Sequence, residues 1–245
     1  MIKIENVKKT FNKKNVLKNI DINFEPGKVY GFIGNNGAGK TTLLKIIFNE
    51  LKPDSGQITY LNQPQNKINY HEWMYFVENN ELPRGMRAFD YLRYVALMAD
   101  VNLAEFKKRL QRVCEVVDLN FNLKNKIKNL SAGQKKILSC LSMLINKPKI
   151  IFLDEPTANL DPSNKSLVLK IIDNLKKDDR IIVVITHLFD DIQGLVTDVV
   201  IVDDGVIKKT KALKANDSIA EVFNQYVFNQ YDEKKEQIGE YLNEE

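Results

Sequence analysis

The sequence contains no apolar run long enough to cross a membrane. Its uninterrupted apolar runs, such as Ile181 to Ile185, are far shorter than the roughly 20 residues that a transmembrane helix needs. No signal-peptide pattern precedes the first apolar segment, which begins directly after Met1. We therefore expect the chain to be made and kept in the cytoplasm.

Cysteine is also scarce. Cys114 and Cys140 are the two cysteines of the chain, and they form no C-x-x-C pair. Both lie on the apolar faces of predicted helices. This pattern predicts two buried, reduced thiols and argues against a disulfide or a metal site.

Charge of one sign is not concentrated anywhere in the chain. The formal net charge is +4 with a pI near 8.8, and basic residues are scattered among acidic ones. This distribution argues against a dedicated nucleic-acid-binding protein, so no nucleic-acid partner is expected. Internal repeats and low-complexity linkers are absent as well. With 245 residues, 44% of them hydrophobic, the chain is expected to build a packed core.

What the sequence does contain is a phosphate-binding loop. The pattern G-x-x-x-x-G-K-[ST] is matched by Gly34-Asn35-Asn36-Gly37-Ala38-Gly39-Lys40-Thr41. An apolar strand precedes the loop, and apolar residues at helical spacing follow it. Glycines let successive backbone N–H groups converge on phosphate, while Lys40 reaches the β- and γ-phosphates and Thr41 offers a hydroxyl to Mg²⁺. The predicted ligand is a nucleoside triphosphate with Mg²⁺.

A pair of carboxylates ends another apolar strand. Ile150 to Leu153 are followed by Asp154 and Glu155. Acids in this position are costly unless they meet a cation or a reacting group at the carboxyl edge of the sheet, where the phosphate loop also opens. We predict that Asp154 holds Mg²⁺ and that Glu155 orients and polarises the water that attacks the γ-phosphate.

The predicted fold is α/β: a P-loop NTPase core with a mainly parallel sheet, an antiparallel β subdomain and an inserted α-helical subdomain. Short strand patterns fill the first third, helical periodicity dominates the middle, and apolar strands alternate with helices after Lys147. We assign residues 1–78 and 148–210 to the core, 79–147 to the helical subdomain and 211–245 to a helical tail. The predicted strands are Ile2 to Val7, Ile20 to Phe24, Lys28 to Ile33, Gln57 to Leu61, Trp73 to Val77, Ile150 to Leu153, Ile181 to Ile185, Val199 to Val202 and Val206 to Lys209.

A helix start with an N-terminal cap is predicted just before the acidic strand. Ser131 and Gln134 form the S-x-x-Q capping box that opens a helix, so the first N–H groups and the positive end of the helix dipole face outward. Such a helix start is an anion site.

The same stretch resembles part of a known family. Leu130-Ser131-Ala132-Gly133-Gln134 resembles the signature peptide of the ABC transporter ATP-binding family, in which glycine is usual where Ala132 stands. Phe11 stands where the family places an aromatic residue under adenine. Four further segments resemble the family's other motifs and occur in the family's order. They are Gly34 to Thr42 (Walker A), Ile150 to Glu155 (Walker B), Ala158 to Asp161 (D-loop) and Ile185 to His187 (switch histidine).

The resemblance implies an ATPase that pairs head to tail with a second copy of itself or a related subunit. In the family, the signature peptide meets the γ-phosphate of the ATP held by the other subunit. Ser131 to Gln134 and Asp161 are therefore implied to contact ATP, in addition to the Walker A residues up to Thr42. His187 is implied to sense the γ-phosphate and to be catalytic together with Lys40 and Glu155.

Three positions depart from the family's pattern. Glu78 stands where the family has the Q-loop glutamine, and we expect its carboxylate to touch the metal; Asn79 is the alternative if the register differs by one residue. Asn159 replaces the small residue that is usual in the D-loop. This asparagine either adds a hydrogen bond across the dimer or has no functional effect. Ala132 would be harmful only if its backbone needed a positive φ.

We expect the ATP-binding and ATP-hydrolysing subunit of an ABC transporter, held at the cytoplasmic face of the membrane by separately encoded polytopic subunits. The single cassette with a short tail resembles the compact subunits of drug, peptide or antibiotic exporters. The alternative is a soluble ABC ATPase of the iron–sulfur cluster assembly type, which the layout leaves open.

A docking groove for the membrane subunit is also implied. In the family, the segment that corresponds to residues 79–93 helps to receive a short cytoplasmic helix. Here it carries Leu82, Pro83, Met86, Phe89 and Tyr91, more apolar surface than an exposed segment needs. The alternative is that these side chains pack only against their own subdomain.

Overall fold

The computed structural model describes residues 1–77, 82–176 and 179–227. None of the helices in these ranges combines the length and apolarity needed to cross a bilayer. The strands are β1 (Ile2–Phe11), β2 (Lys14–Phe24), β3 (Lys28–Ile33), β4 (Ser55–Tyr60), β5 (Gln63–Pro64), β6 (Trp73–Phe76), β7 (Ile150–Asp154), β8 (Ile181–Ile185), β9 (Asp198–Asp203) and β10 (Val206–Ala212). The helices are α1 (Lys40–Ile47), α2 (Ala88–Met98), α3 (Leu103–Val116), α4 (Ala132–Asn146), α5 (Pro162–Leu175), α6 (Phe189–Ile192) and α7 (Ile219–Tyr226), with a 3₁₀ turn at Ile127–Asn129.

The ten strands in the described part of the chain share one sheet, in the order β5-β4-β1-β2-β10-β9-β3-β8-β7-β6. Strands β9, β3, β8, β7 and β6 pair in parallel. Strands β5, β4, β1 and β2 pair antiparallel at the other end. The parallel core with an antiparallel region beside it confirms the predicted α/β class.

The register of the parallel strands determines which loops meet. Phe32 of β3 lies opposite Ile185 of β8, and Asp154 of β7 lies opposite the same Ile185. The carboxyl ends of the three strands are therefore level. The phosphate loop, the acid pair and His187 follow these ends and meet at one edge of the sheet.

Alternate residues of the parallel strands enter two apolar clusters. Phe152 belongs to the cluster with β1, β2 and α1, whereas Ile151 and Leu153 belong to the cluster with α2 to α5. Around Phe152, the rings of Phe48 at the end of α1 and of Trp73 lie 5.4 Å and 6.4 Å away between centroids. This aromatic packing fixes α1, and with it the phosphate loop, against the strand that carries the acids.

The helices α2, α3 and α4 pack together and contribute to the same cluster as β7 and β8. The division into 1–78 with 148–210, 79–147 and 211–245 stays a prediction. Helix α7 lies in the predicted helical tail, and residues 228–245 are outside the described residues.

The predicted bounds of the first two strands are wrong. β1 continues past Val7 to Phe11, and β2 begins at Lys14, well before Ile20. Polar residues on the outer face of this hairpin hide the strand alternation in the sequence. Phe11 is consequently the last residue of β1, paired with Lys14 across a two-residue turn whose φ angles are 47° and 67°. Elsewhere the bounds shift by a few residues, and the short β5 was not predicted.

The two cysteines differ in exposure. Cys140 is buried, as predicted, and burial raises the pKa of its thiol to about 12. The prediction for Cys114 is wrong, because this residue is exposed. The buried stripe of α3 runs through Phe106, Leu110 and Val113. Cys114 lies at the edge of that stripe, about 40° around the helix from Leu110 and about 100° from Val113.

Candidate active site

The phosphate loop joins β3 to α1 and packs closely against β2 and β9. A Cβ on Gly34 would lie 2.1 Å from the carbonyl oxygen of Val202 in β9. Gly39 has φ +100°, and a Cβ there would lie 2.7 Å from Leu17 and 2.9 Å from the carbonyl of Val16 in β2. Both glycines are therefore required by close approach, and Gly39 also by its backbone conformation. No side chain caps α1, so its first N–H groups remain at the loop for an anion.

Lys40 lies across this loop. Its Nζ donates hydrogen bonds to the carbonyls of Gly34, at 2.6 Å, and Asn35, at 3.0 Å. Burial lowers the pKa of Lys40, while the charges of Glu155 and Asp154 oppose that shift. The nearby carboxylates thus help to keep a buried cation where the sequence predicts the β- and γ-phosphates.

The phosphate loop and the acid pair line one cavity of about 340 Å³. Thr41, Thr42, Asp154 and Glu155 share this cavity, as the sequence predicts. Two lining residues on β2 were missed, Lys14 and Val16, because their position depends on the path of β2 past Gly39. The complete lining is Lys14, Val16, Asn36, Gly37, Gly39, Lys40, Thr41, Thr42, Asp154 and Glu155.

Phe11 lies on the hairpin that also supplies Lys14 to the cavity. Its side chain is exposed, and the Nζ of Lys9 lies 5.5 Å from the centroid of its ring. The ring is thus accessible from solvent, with Lys9 over one of its faces, and contact with adenine stays a prediction.

Asp154 is a buried carboxylate at the end of β7. The hydroxyl of Tyr75, on the neighbouring β6, lies 3.5 Å from its Oδ2. Burial, reinforced by the charge of Asp154, raises the pKa of Tyr75, so this hydroxyl stays protonated. Tyr75 was missed in the sequence, because it reads there as one more apolar strand residue.

The residues predicted to hold the metal are Thr41, Asp154 and Glu78. Glu78 lies outside the described residues. Among the residues that are described, no group of three or more His, Cys, Asp or Glu side chains could enclose a metal ion. One carboxylate and one hydroxyl in a phosphate site fit Mg²⁺, which takes one or two protein ligands and completes its shell with phosphate oxygens and water.

Glu155 is held at the end of β8. Its Oε2 accepts a hydrogen bond from the Thr186 hydroxyl at 2.8 Å, and its Oε1 accepts one from the His187 N–H at 3.1 Å. The Nδ1 of His187 lies 2.6 Å from the same Oε1. The sequence predicts Glu155 and His187 at one sheet edge, and the structure brings them into direct contact. The backbone of Glu155 has φ +46°, an uncommon conformation outside glycine.

The predicted capping box is present at the start of α4. The N–H of Gln134 donates to Ser131 Oγ at 3.1 Å, and the N–H of Ser131 donates to Gln134 Oε1 at 3.0 Å. Ala132 is the first helical residue and is not among the residues with positive φ. Alanine in place of the family's glycine is therefore free of backbone strain.

The D-loop residues lead into α5. Asp161 caps this helix by accepting hydrogen bonds from the N–H groups of Asn164 and Ser163, each at 3.1 Å. These bonds, the one from Asn164 first, hold the pKa of Asp161 below its usual range. Asn159 has φ +60°, which asparagine tolerates better than most residues, so its backbone conformation accounts for its place here.

Comparisons with known proteins agree with this geometry. The family model "ABC transporter" matches residues 17–158. The lantibiotic transport ATP-binding protein SrtF of Streptococcus pyogenes is 30% identical over 93% of this chain and 97% of its own length. The methionine import ATP-binding protein MetN of Clostridium acetobutylicum is 31% identical over 86% of this chain and 68% of its own length.

Solved structures share the fold. An ATP-binding subunit of an ABC transporter superposes with a TM-score of 0.84 at 22% identity, covering 92% of this chain and 99% of that one. The dimeric ABC transporter cassette MJ0796 superposes with a TM-score of 0.77 at 24% identity, covering 87% and 99%. The chain belongs to the ABC transporter family, as an ATP-binding subunit that hydrolyses ATP.

Proposed function

We propose that this chain powers the export of a peptide-like or drug-like compound, as one of two ATP-binding subunits on a separately encoded membrane partner. The observation that carries the proposal is the match to the lantibiotic transport protein, which covers 93% of this chain and 97% of that relative. The methionine import relative is as similar in sequence, but the match covers only 68% of it.

The proposed chemistry follows from the cavity. The triphosphate of ATP lies on the backbone N–H groups of the phosphate loop and on Lys40. Thr41 and Asp154 would hold Mg²⁺, with Glu78, which lies outside the described residues, as a third ligand, and the ion would supply positive charge beside the phosphates. Glu155 orients the attacking water and takes its proton, and His187 holds the Glu155 carboxylate in place.

The proposed head-to-tail pairing rests on a second anion site in the same chain. The start of α4 is exposed at Ser131 and Ala132, and the capping box leaves the first N–H groups of that helix at its end. The phosphate loop uses a different helix start, that of α1. A chain with one loop that holds phosphate and one helix end that can contact phosphate is suited to share each ATP between two copies.

The proposed membrane partner has a groove to bind. A cavity of about 460 Å³ lies between β6 and the helices α2 and α4. Tyr94 and Met98 line it, and both side chains are more than half exposed, at 54%. Met86 and Phe89 instead pack against the core of their own subdomain, so the groove comes from α2 more than from the preceding loop. An exposed aromatic groove of this kind suits a short amphipathic helix of a partner.

The test co-expresses this chain with a candidate polytopic membrane protein from a neighbouring reading frame. In inside-out vesicles, ATP should drive accumulation of a labelled lantibiotic-type peptide, and vesicles with the Glu155→Gln variant should show none. Accumulation that requires vesicles of the opposite orientation would overturn export.

Docking is tested separately by Tyr94→Asp, with Val116→Asp as the control on an exposed position of α3. The first variant should lose co-purification with the membrane protein, while the second keeps it. No co-purification with the parent chain would instead favour the soluble cluster-assembly type of ATPase.

A further inference from the structure

A buried lysine joins the start of α4 to the turn that carries Glu155. Lys136 is buried, with 7% of the residue's surface exposed. Its Nζ donates to the backbone carbonyl of Glu155 at 2.8 Å and to that of Ala158 at 2.6 Å. A buried ammonium group is costly unless its hydrogen bonds are made, so the placement of Lys136 depends on these two carbonyls.

The turn depends on Lys136 in return. Glu155 has φ +46°, and Asn159, just after the turn, has φ +60°. The carbonyl of Glu155 has one backbone donor within the turn, the N–H of Ala158 at the long distance of 3.4 Å. Without Lys136 this carbonyl would keep that weak bond as its backbone bond within the described turn, while Glu155 and Asn159 stay in an uncommon backbone conformation.

The start of α4 also touches the far end of the turn. A Cβ on Gly133 would lie 3.1 Å from the Asn164 side chain and 3.4 Å from that of Leu160. The first turns of α4, the turn after β7 and the D-loop are therefore packed as one unit. Lys136 belongs to α4 and is hydrogen-bonded to the carbonyl of Glu155. A movement of the signature end of α4 must therefore be accommodated by the backbone of Glu155.

We propose that Lys136 is a positioning residue that couples the signature peptide to Glu155 of the same chain. This inference rests on the proposed head-to-tail pairing. When the start of α4 meets the ATP held by the partner copy, Lys136 holds the Glu155 turn in the geometry that hydrolysis requires. Hydrolysis in one site thus depends on engagement of the other. Lys136 touches no substrate and takes no part in proton transfer.

The test compares Lys136→Met, which keeps the length of the side chain but has no donor, with Lys136→Arg, which keeps the charge and donors. Lys107→Met is the control, because Lys107 is an exposed lysine on α3. ATPase activity per subunit is measured over a range of protein concentrations, together with nucleotide affinity. Parent activity should rise with concentration as dimers form. At high protein concentration, Lys136→Met should have a kcat about tenfold below that of the parent. Its activity per subunit should not rise with concentration, and its nucleotide affinity should stay within about twofold of the parent's.

Lys136→Arg should recover most of the concentration-dependent activity, and Lys107→Met should match the parent. In a Glu155→Gln background, Lys136→Met should still form the ATP-dependent dimer on size exclusion. Lys136→Met activity that rises like the parent's would overturn the coupling. Unfolding of both Lys136→Met and Lys136→Gln would also count against it and assign a purely structural role. If Glu155→Gln alone forms no dimer with ATP, the proposed pairing fails, and that result is distinct from failure of the Lys136 coupling.

Discussion

Replacing Glu155 by glutamine removes the proposed base and little else. The carboxylate accepts hydrogen bonds from the Thr186 hydroxyl and the His187 N–H, and a glutamine amide of the same shape can accept at least one of them through its Oε1. Lys40 and Thr41 are unchanged, so ATP should still bind. A general base contributes about 10² to 10⁴ in rate. Turnover should therefore fall by at least about 10²-fold, or about 2.7 kcal/mol of transition-state stabilisation.

The assay is phosphate release at saturating ATP and Mg²⁺, with a fluorescent ATP analogue to follow binding. Glu115→Gln, on an exposed position of α3, is the matched control and should keep the parent rate. With hydrolysis blocked, Glu155→Gln should elute as an ATP-dependent dimer on size exclusion. A variant that hydrolyses ATP at the parent rate would refute the assignment of Glu155 as the base. An equal loss of ATP binding would show that the residue acts on nucleotide affinity instead.

Three further changes test other parts of the site. Phe11→Ala should weaken nucleotide binding by about 1 to 2 kcal/mol, roughly 5- to 30-fold, and unchanged affinity in a fluorescence titration would place adenine elsewhere. Ser131→Ala removes the acceptor for the Gln134 N–H and should lower the unfolding free energy by about 1 kcal/mol, or Tm by roughly 2–4 °C by calorimetry; an unchanged Tm would contradict a stabilising cap. Hydrogen bonds hold the pKa of Asp161 in the folded state below its value in the unfolded state. The ionised carboxylate therefore stabilises the fold at pH values above the unfolded-state pKa, and this stabilisation is lost as the pH falls through the folded-state pKa. Asp161→Ala should thus be less stable than the parent at neutral pH, and denaturant titrations should show the difference closing in acid; a difference independent of pH would contradict this.

The sequence alone determines the features that depend on local patterns of neighbouring residues. The bounds of β3 and β8 agree with prediction, because a continuous apolar run between polar ends marks a strand buried on both faces without knowledge of its neighbours. The capping box between Ser131 and Gln134 is equally local. The phosphate loop and the family membership follow from linear motifs, so the sequence was sufficient for both.

Contacts between distant segments are decided only by the tertiary structure. Lys14 lines the cavity because β2 crosses the phosphate loop at Gly39. Glu155 meets His187 because the register of β7 on β8 makes the two strands end level. Lys136 reaches the Glu155 turn because α4 packs over the end of β7. No local pattern specifies such contacts, since strand register and helix placement depend on which faces the whole core buries.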